Sequence, residues 1–529
     1  MIWSSTCLRQ LRLHEILLRC ACLLIAITLF LAITANAYEA NHKHEKEFKY
    51  ISEALDVRSL PRSLVHWDMK ENPVGRLFTK LDAQEIGQAL TQAWTKLTVA
   101  SRSREINFIE DHFTGTAYRK IKQDITSQTS IEKGMVVLDQ KAQARFFHKD
   151  GSSIEIKSDD TLIVRYALDP IADQSLLLNV TRECTRQILM LMTVGWKIQN
   201  HEIDCSKRVS LLPKKSEKRN AVFPQKGVNY YPAKTPWSEF WSEFDEEIID
   251  RDMKRIASYG GNAVRIFIPF SDFYDQGTSD QALRHLDRFL ALAAKHRISV
   301  MPTLFDFKGD YIASGWAAEY QYLKQVLPVL KRHQNVQIID LKNEPDLDYQ
   351  YHGKATVDLW LTLFAGLVRD LVPDMSVTIG FLNYESAIRL RDIVDVISYH
   401  DYEDQAETHL RFETVKAVAE GKRILVTETG QPSWGMAGGF PFSMQSQSQW
   451  LDIQLEALKA SDGVYVWALY DFEYDDTEGI ASLPWRRLMQ ATYGLFENDG
   501  SEKPAGKTFK KFNFQSSLRS DWKHRKETQ

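Results

Sequence analysis

From Gln225 onward, short apolar segments alternate with amphipathic ones, and this alternation constrains the fold more than any other feature of the chain. The apolar segments cover 227–231, 263–268, 299–304, 336–341, 377–380, 394–399, 424–427 and 464–469. They are rich in Val, Ile, Leu and aromatic residues and read as buried strands. Helical patterns such as 244–259, 282–295 and 356–371 separate most of them. Strands that alternate with helices form a parallel sheet, and eight such units in about 290 residues imply an α/β chain built on a (β/α)8 barrel, here over 222–515. The connection between the fifth and sixth strands is short, so any helix there is small. An open doubly wound sheet is the competing architecture. It would want a Gly-rich phosphate turn after its first strand, and none follows.

The chain has 529 residues, more than one ordinary domain needs. Residues 38–80 are polar and weakly periodic, which suggests a linker or extended lead-in. From Asp82, Ile86, Leu90, Trp94, Leu97 and Ala100 recur at helical steps, and a second helical piece covers 106–121. Strand patterns follow at 135–138, 144–148, 153–157 and 161–167, with Lys149-Asp150-Gly151 as a turn between two of them. A hairpin spans 182–203. Leu211-Leu212-Pro213-Lys214-Lys215 opens a charged, aperiodic stretch, so 209–221 reads as an interdomain linker. Residues 516–529 read as a solvated tail. Helices followed by antiparallel strands over 81–208 resemble the nuclear transport factor 2-like, or cystatin-like cone, α+β fold. That resemblance implies a scaffold, or a surface that docks a protein partner.

At the start, Arg9, Arg12 and Arg19 precede an apolar run from Leu23 to Ala35, and Ala35-Asn36-Ala37 offers small residues for cleavage. This is the layout of a secretory signal over 1–37, which implies export to a periplasm or beyond. An uncleaved leader would instead attach the protein to a membrane through residues 20–37. Cys7, Cys20 and Cys22 fall in that leader. Cys184 and Cys205 remain, an even pair in an export-routed chain. If Val194 and Gly195 are the turn residues of the hairpin, Thr193 faces Trp196, and by the same sum Cys184 faces Cys205. Counting outward places them at a non-hydrogen-bonded position, where strands approach closely enough for a disulfide. A net charge of −4 with no basic face excludes a nucleic-acid partner.

Two of the barrel strands end in a glutamate. One string is Ile338-Ile339-Asp340-Leu341-Lys342-Asn343-Glu344-Pro345, the other Ile424-Leu425-Val426-Thr427-Glu428-Thr429-Gly430. The C-terminal ends of barrel strands project into one mouth, and strands four and seven face each other across it. Two carboxyl groups so placed are what retaining glycoside hydrolysis requires, one as acid/base and one as nucleophile. No metal or organic cofactor is required by that chemistry. The 13 tryptophans suit a carbohydrate partner, because sugar rings stack on flat aromatic faces.

With these residues in order, the 222–515 segment resembles the clan A glycoside hydrolases, most of all family 5, the cellulase- and mannanase-like group. The resemblance implies that Glu344 is the acid/base and Glu428 the nucleophile. It implies that Arg265 orients the nucleophile, that Asn343 bonds the sugar 2-hydroxyl, and that His400 and Tyr402 line the site, Tyr402 close to Glu428. Trp467 corresponds to the tryptophan that floors the sugar subsite, often followed by a non-proline cis peptide. The expected reaction is double displacement on a β-linked polysaccharide or oligosaccharide, glucan- or mannan-like, with Glu344 kept protonated by a neighbouring carboxylate. Transfer to a sugar acceptor uses the same intermediate and is an alternative. So is a non-catalytic polysaccharide-binding component of an envelope system, although such a module has no need of Arg265 beside a buried carboxylate.

Pro302-Thr303-Leu304-Phe305-Asp306-Phe307 departs from the family pattern, because many members carry a histidine after strand three. Asp306 is expected to contact sugar hydroxyls there or to be a solvated loop acid, like Asp346 and Asp348. Trp237, Trp316, Tyr349, Trp434, Tyr470 and Trp485 fall on expected loops as candidate sugar platforms.

Overall fold

The structure is a computed structural model that describes residues 63–515 except 128–130, 170, 214–217, 238, 275–278, 436–441, 479 and 482. The expected leader with its three cysteines and the expected tail lie outside the described residues. No helix among the described residues is long and apolar enough to cross a membrane.

The first sheet has strand order β1-β3-β4-β5-β6, with β2 also paired to β3. Its strands are β1 (Val65–Trp67), β2 (Val74–Gly75), β3 (Glu132–Phe147), β4 (Ser153–Asp169), β5 (Gln174–Met192) and β6 (Gly195–Arg208). The helix Lys80–Ser103 packs Ile86, Leu90, Trp94 and Leu97 against this sheet. It starts sharply because Thr79 and Asp82 form a reciprocal capping box. The lead-in before it is not slack. Val65 pairs with Gln140 and Val74 with Phe146, and Leu64, Val65 and Phe78 are buried. The second helical piece is broken in two, Asn107–Glu110 and Gly115–Thr126.

Segments that read as four short strands are the halves of β3 and β4. The polar runs Asp139-Gln140-Lys141 and Ser158-Asp159-Asp160 interrupt the apolar pattern, and the strands cross them with bulges. The β5–β6 hairpin turns at Thr193-Val194, one residue earlier than expected, with Met192 opposite Gly195. Two register shifts, between Ile188 and Leu189 and between Cys184 and Thr185, then move the pairing back. Cys184 thus meets Cys205 in a disulfide, with Cα atoms 4.8 Å apart.

The second sheet is eight-stranded, with order β11-β10-β9-β8-β7-β14-β13-β12 and every pair parallel. The strands are β7 (Gln225–Asn229), β8 (Ala263–Pro269), β9 (Ser299–Asp306), β10 (Ile338–Asn343), β11 (Ser376–Gly380), β12 (Ile397–His400), β13 (Ile424–Thr429) and β14 (Gly463–Val466). A parallel bridge between Phe381 and Tyr399 joins the two edges and closes the barrel. These strands are buried along their length because helices cover the outside and side chains fill the inside.

Strand period places the site. Ala263, Met301, Ile338, Leu425 and Tyr465 form an apolar cluster, against which pack Ala221, the last residue of the stretch expected as linker, and Phe223 just after it. Two residues further along the same strands stand Arg265, Thr303, Asp340, Thr427 and Trp467. An apolar layer therefore supports a polar one nearer the mouth.

The first sheet rests on barrel helices Trp316–Arg332 and Lys354–Leu371. Lys324 pairs with Asp139 at 2.9 Å, Arg182 with Asp370 at 2.8 Å, and the Tyr166 and Trp316 rings lie 5.1 Å apart. The 209–221 stretch is tied down as well: Arg219 pairs with Asp374, and Leu211 packs so tightly on Gly366 that a Cβ there would meet it at 2.4 Å.

Candidate active site

Arg265 organises the mouth. It is fully buried, and its five N–H groups are all engaged. Nε and Nη2 donate to Asp340 Oδ2 at 2.9 and 2.6 Å, and Nη2 also donates to Asn343 Oδ1 at 2.8 Å. Nη1 donates to Asn229 Oδ1 at 3.0 Å and to Glu428 Oε1 at 2.5 Å. Asp340 is itself fixed by Thr303 Oγ1 at 3.0 Å and by the Gly380 N–H at 2.9 Å. One guanidinium thus sets the position of Asn343, on strand four of the barrel, and of Glu428, on strand seven.

Local irregularities aim these side chains. Thr427 belongs to the inward-facing set, so in a regular strand Glu428 would face out. The pairing of β13 shifts register on both sides at this point, between Tyr399 and His400 and between Val426 and Thr429. A shift also falls between Asp340 and Asn343 on β10. Bulges of this kind re-aim single side chains at barrel rims. Glu344 follows with φ 43° and ψ 48°, the left-handed region, which costs a non-glycine residue on the order of 1–3 kcal/mol. Phe305, Phe307 and Trp237 share that unusual sign of φ around the same rim.

The two glutamates converge on His400. His400 Nδ1 lies 2.8 Å from Glu344 Oε1 and 3.6 Å from Glu428 Oε2. One ligand atom of each of the three lies within 4.8 Å of the others. Tyr402 donates its hydroxyl to Glu428 Oε2 at 2.8 Å. Burial pushes Glu344 up to about 7, the charge of Asp346 adds to it, and Arg265 opposes both. The neighbouring carboxylate that contributes is therefore Asp346, and it acts second to burial. Burial pushes His400 down to about 4, so its ring is neutral near pH 7. Distance alone would let Glu344, His400 and Glu428 hold a metal. Both Glu428 oxygens, however, already accept from Arg265 and Tyr402, and the guanidinium opposes a second cation there.

Trp467 is 8% exposed, stacks on Trp237 with ring centres 5.7 Å apart, and meets Phe267 edge-on at 5.9 Å. The Trp467–Ala468 peptide is cis. Asp306, Asp346 and Asp348 are not solvated acids. Asp306 is buried beside Tyr231, whose hydroxyl is 3.4 Å away, and burial pushes it up to about 6. Asp346 accepts the N–H groups of Leu382 and Asn383, both at 2.9 Å, and Asp348 accepts the Tyr311 hydroxyl at 2.6 Å. Among the aromatic candidates, Trp316 and Tyr470 are buried and serve packing. Trp237 backs Trp467, Tyr349 donates to Asp358, Trp434 is half-buried, and Trp485 is exposed.

Sequence reasoning left Asp340 and Asn229 unassigned. The available signal was an acid within the apolar run Ile338-Ile339-Asp340-Leu341, two residues past an inward position. In the first sheet, Gln140 donates to Ser158 at 2.7 Å and to Gln187 at 2.9 Å, with Trp94 and His201 at the ends of the chain. This buried network satisfies its own members.

Fold and site together define a closed (β/α)8 barrel whose mouth holds two carboxyl groups around a buried arginine. No family model matches the chain, and no curated protein sequence matches it. A GH5_18 protein from Bifidobacterium longum subsp. longum is similar in structure at a TM-score of 0.45 and 18% identity, over 57% of this chain and 80% of that one. The exo-beta-1,4-mannosidase Op5Man5 from Opitutaceae bacterium strain TAV5 gives 0.46 and 21%, over 55% and 59%. A GH2 beta-galacturonidase from Eisenbergiella tayi gives 0.45 and 14%, over 72% and 73%. At these scores and identities the likenesses do not bear on the chemistry of this mouth.

Proposed function

We propose that the protein is a retaining glycoside hydrolase that cleaves a β-linked polysaccharide or oligosaccharide by double displacement. The observation that carries this reading is the pairing of Glu344 with Glu428, whose nearest oxygens lie within 4.8 Å across a mouth organised by Arg265. Retaining enzymes hold their carboxyl groups ~5–5.5 Å apart, whereas inverting ones leave ~6.5–9.5 Å for a water.

The two carboxyl groups sit in different surroundings, which suits two roles. Glu344, pushed up to about 7, carries a proton to the leaving oxygen. Glu428, gripped by Arg265 and Tyr402, attacks the anomeric carbon and forms a glycosyl-enzyme. Water then gives a proton to the ionised Glu344 and releases the sugar with retained configuration. His400 stays bonded to Glu344 through both halves in one tautomer: Nδ1–H donates to Oε1, and the acid carries its proton on Oε2, free for the leaving oxygen. The Asn343 oxygen is engaged by Arg265, which turns its amide N–H groups toward substrate, in keeping with a bond to the 2-hydroxyl. Trp467 supports the sugar from below. An exported protein is part of this proposal, and a disulfide at Cys184–Cys205 suits an oxidising compartment. So is a nuclear transport factor 2-like kinship for the first sheet and its helices.

The test pairs wild type with Glu428→Ala on β-glucans, β-mannans and aryl β-glycosides. Activity that falls at least ~10³-fold in the variant supports nucleophilic catalysis and names the sugar. Equal activity in both removes Glu428 from the mechanism.

A further inference from the structure

Beyond Glu344, the rim of the barrel is joined to the first sheet. The loop after β10 runs through Pro345–Asp348 and the short helix Tyr349–His352 to Gly353, where the helix Lys354–Leu371 begins. That helix lacks a cap of its own. Asp173, from the turn between β4 and β5, supplies one: its carboxylate accepts the N–H of Ala355 at 2.8 Å and of Lys354 at 3.2 Å. Gly353 makes the approach possible, because it adopts φ 78° and a Cβ there would stand 3.2 Å from Asp173 Oδ1. The sheet is thereby pinned to the loop that carries the candidate acid. The next loop of the rim is tied to the same place, with Tyr311 donating to Asp348 at 2.6 Å and its ring 5.3 Å from that of His352.

Along this junction the protein exposes large apolar side chains. Phe307 is 59% exposed, Leu347 44%, Tyr351 60% and Ile171, in the capping turn, 85%. Phe307 also holds a strained φ of 57° while placing its ring outward, so neither its backbone nor its exposure assists folding. The strip starts at Glu344, the residue that would protonate the leaving oxygen. The part of a substrate beyond that oxygen must therefore lie on this side. Tyrosine and phenylalanine rings offer flat apolar faces to the C–H faces of sugars, and β-linked chains are extended enough to run along such a strip.

We propose that the substrate cleft continues from Glu344 over Phe307, Leu347 and Tyr351 onto the β4–β5 turn at Ile171, and that it binds the leaving-group portion of a carbohydrate chain. The first sheet is then part of the substrate site. This rests on the hydrolase reading for its direction, and binding tests it independently of turnover.

The experiment measures kcat/KM on β-1,4-linked gluco- and manno-oligosaccharides of two to six units, and calorimetric binding of the same ladder to full-length Glu344→Gln. Wild type, Phe307→Ala, Tyr351→Ala and Ile171→Asp are compared, with an aryl β-glycoside as a short control. The expected result is a gain of ~10-fold or more in kcat/KM along the ladder. Phe307→Ala and Tyr351→Ala lose most of that gain, Ile171→Asp loses it only for the longest members, and the aryl glycoside is hydrolysed as before. Length-dependent binding that these substitutions weaken, without turnover, would sustain the cleft and sink the hydrolase reading. Binding and rates that do not depend on length, or that ignore Phe307 and Tyr351, overturn the cleft. An Ile171→Asp variant identical to wild type throughout the ladder removes the first sheet from it.

Discussion

Arg265 and Asp340 meet in the barrel interior with neither side chain exposed, two guanidinium nitrogens sharing one carboxylate oxygen at 2.6 and 2.9 Å. A second carboxylate, Glu428, holds the other end of the same guanidinium. The cation is therefore shared between an acid that chemistry would use and an acid that chemistry does not reach. The second acid fixes the plane of the guanidinium, and with it the direction from which Glu428 and Asn343 are gripped.

Asp340→Asn keeps the shape of that partner and removes its charge. The guanidinium gains freedom to turn toward Glu428, so kcat is expected to fall ~10- to 10²-fold with little change in KM. Asp340→Ala also leaves Thr303 and the Gly380 N–H without their acceptor, and a cost of about 3–5 kcal/mol in unfolding free energy is expected. Steady-state kinetics and denaturant melts check both. A fully active Asp340→Asn enzyme would show that Glu428 alone holds the arginine in place.

Gly380 closes the same cluster from β11. A Cβ there would stand 2.9 Å from Arg265 Nη2 and 3.0 Å from both Asp340 Oδ2 and His400 Nε2. None of these atoms belongs to a side chain free to swing away. Gly380→Ala is expected to cost about 1–3 kcal/mol of stability and at least ~10-fold in kcat, since it displaces the arginine and the histidine together. Its test is activity at a temperature where circular dichroism shows the variant folded. Unchanged kcat there would mean that the cluster can relax.

The barrel was legible because its strands are covered on both faces and read as apolar runs, and because Asn343-Glu344-Pro345 and Thr427-Glu428-Thr429 end two of them. What the sequence concealed are relationships that exist only once the barrel closes. Asn229 and Asp340 are polar residues inside strands, and their meaning comes from Arg265 across the interior. The burial of Asp306 and Asp346 depends on loops from other units folding over them. In the first sheet, the polar residues that seemed to end strands are partly members of a buried network through Gln140 and Ser158, and bulges carry the strands past them. The approach of Cys184 to Cys205 results from a turn displaced by one residue and two compensating register shifts, where a continuous ladder had been expected.

That disulfide joins residues 21 apart in sequence, across a hairpin held on only one side by β4. Closing a loop of that size in the unfolded chain is worth about 3 kcal/mol in the chain-entropy treatment, and less where the hairpin persists after unfolding. Reductant, or Cys184→Ser with Cys205→Ser, is expected to lower the melting temperature without changing kcat, because both cysteines belong to the β5–β6 hairpin and not to the barrel that carries the two glutamates. Intact mass after alkylation, with and without reductant, reads the bond directly. Two thiols alkylated in oxidised protein would refute it.

The pH dependence follows from Glu344. Burial, then Asp346, raises this group from its ordinary 4.5 to about 7, against the opposing charge of Arg265. As a general acid it must carry a proton, so kcat/KM is expected to fall as pH rises through about 7. The same shift bears on stability with a definite sign. A group whose folded pKa is raised stabilises the fold fully below about 4.5, and that contribution is lost as pH rises through about 7. Glu344→Gln cannot ionise. Its unfolding free energy relative to wild type should therefore climb between about pH 4.5 and about pH 7, by on the order of 3 kcal/mol, and level off above. His400 touches Glu344, but burial pushes it down to about 4, so its own titration falls below the window in which Glu344 ionises. On an aryl glycoside whose leaving group needs no proton, Glu344→Gln should also lose the alkaline limb. Melts of the two proteins across the pH range, with kcat/KM profiles beside them, check both expectations. A constant stability difference together with an unchanged alkaline limb would mean that another group titrates near 7 and that Glu344 is ionised throughout.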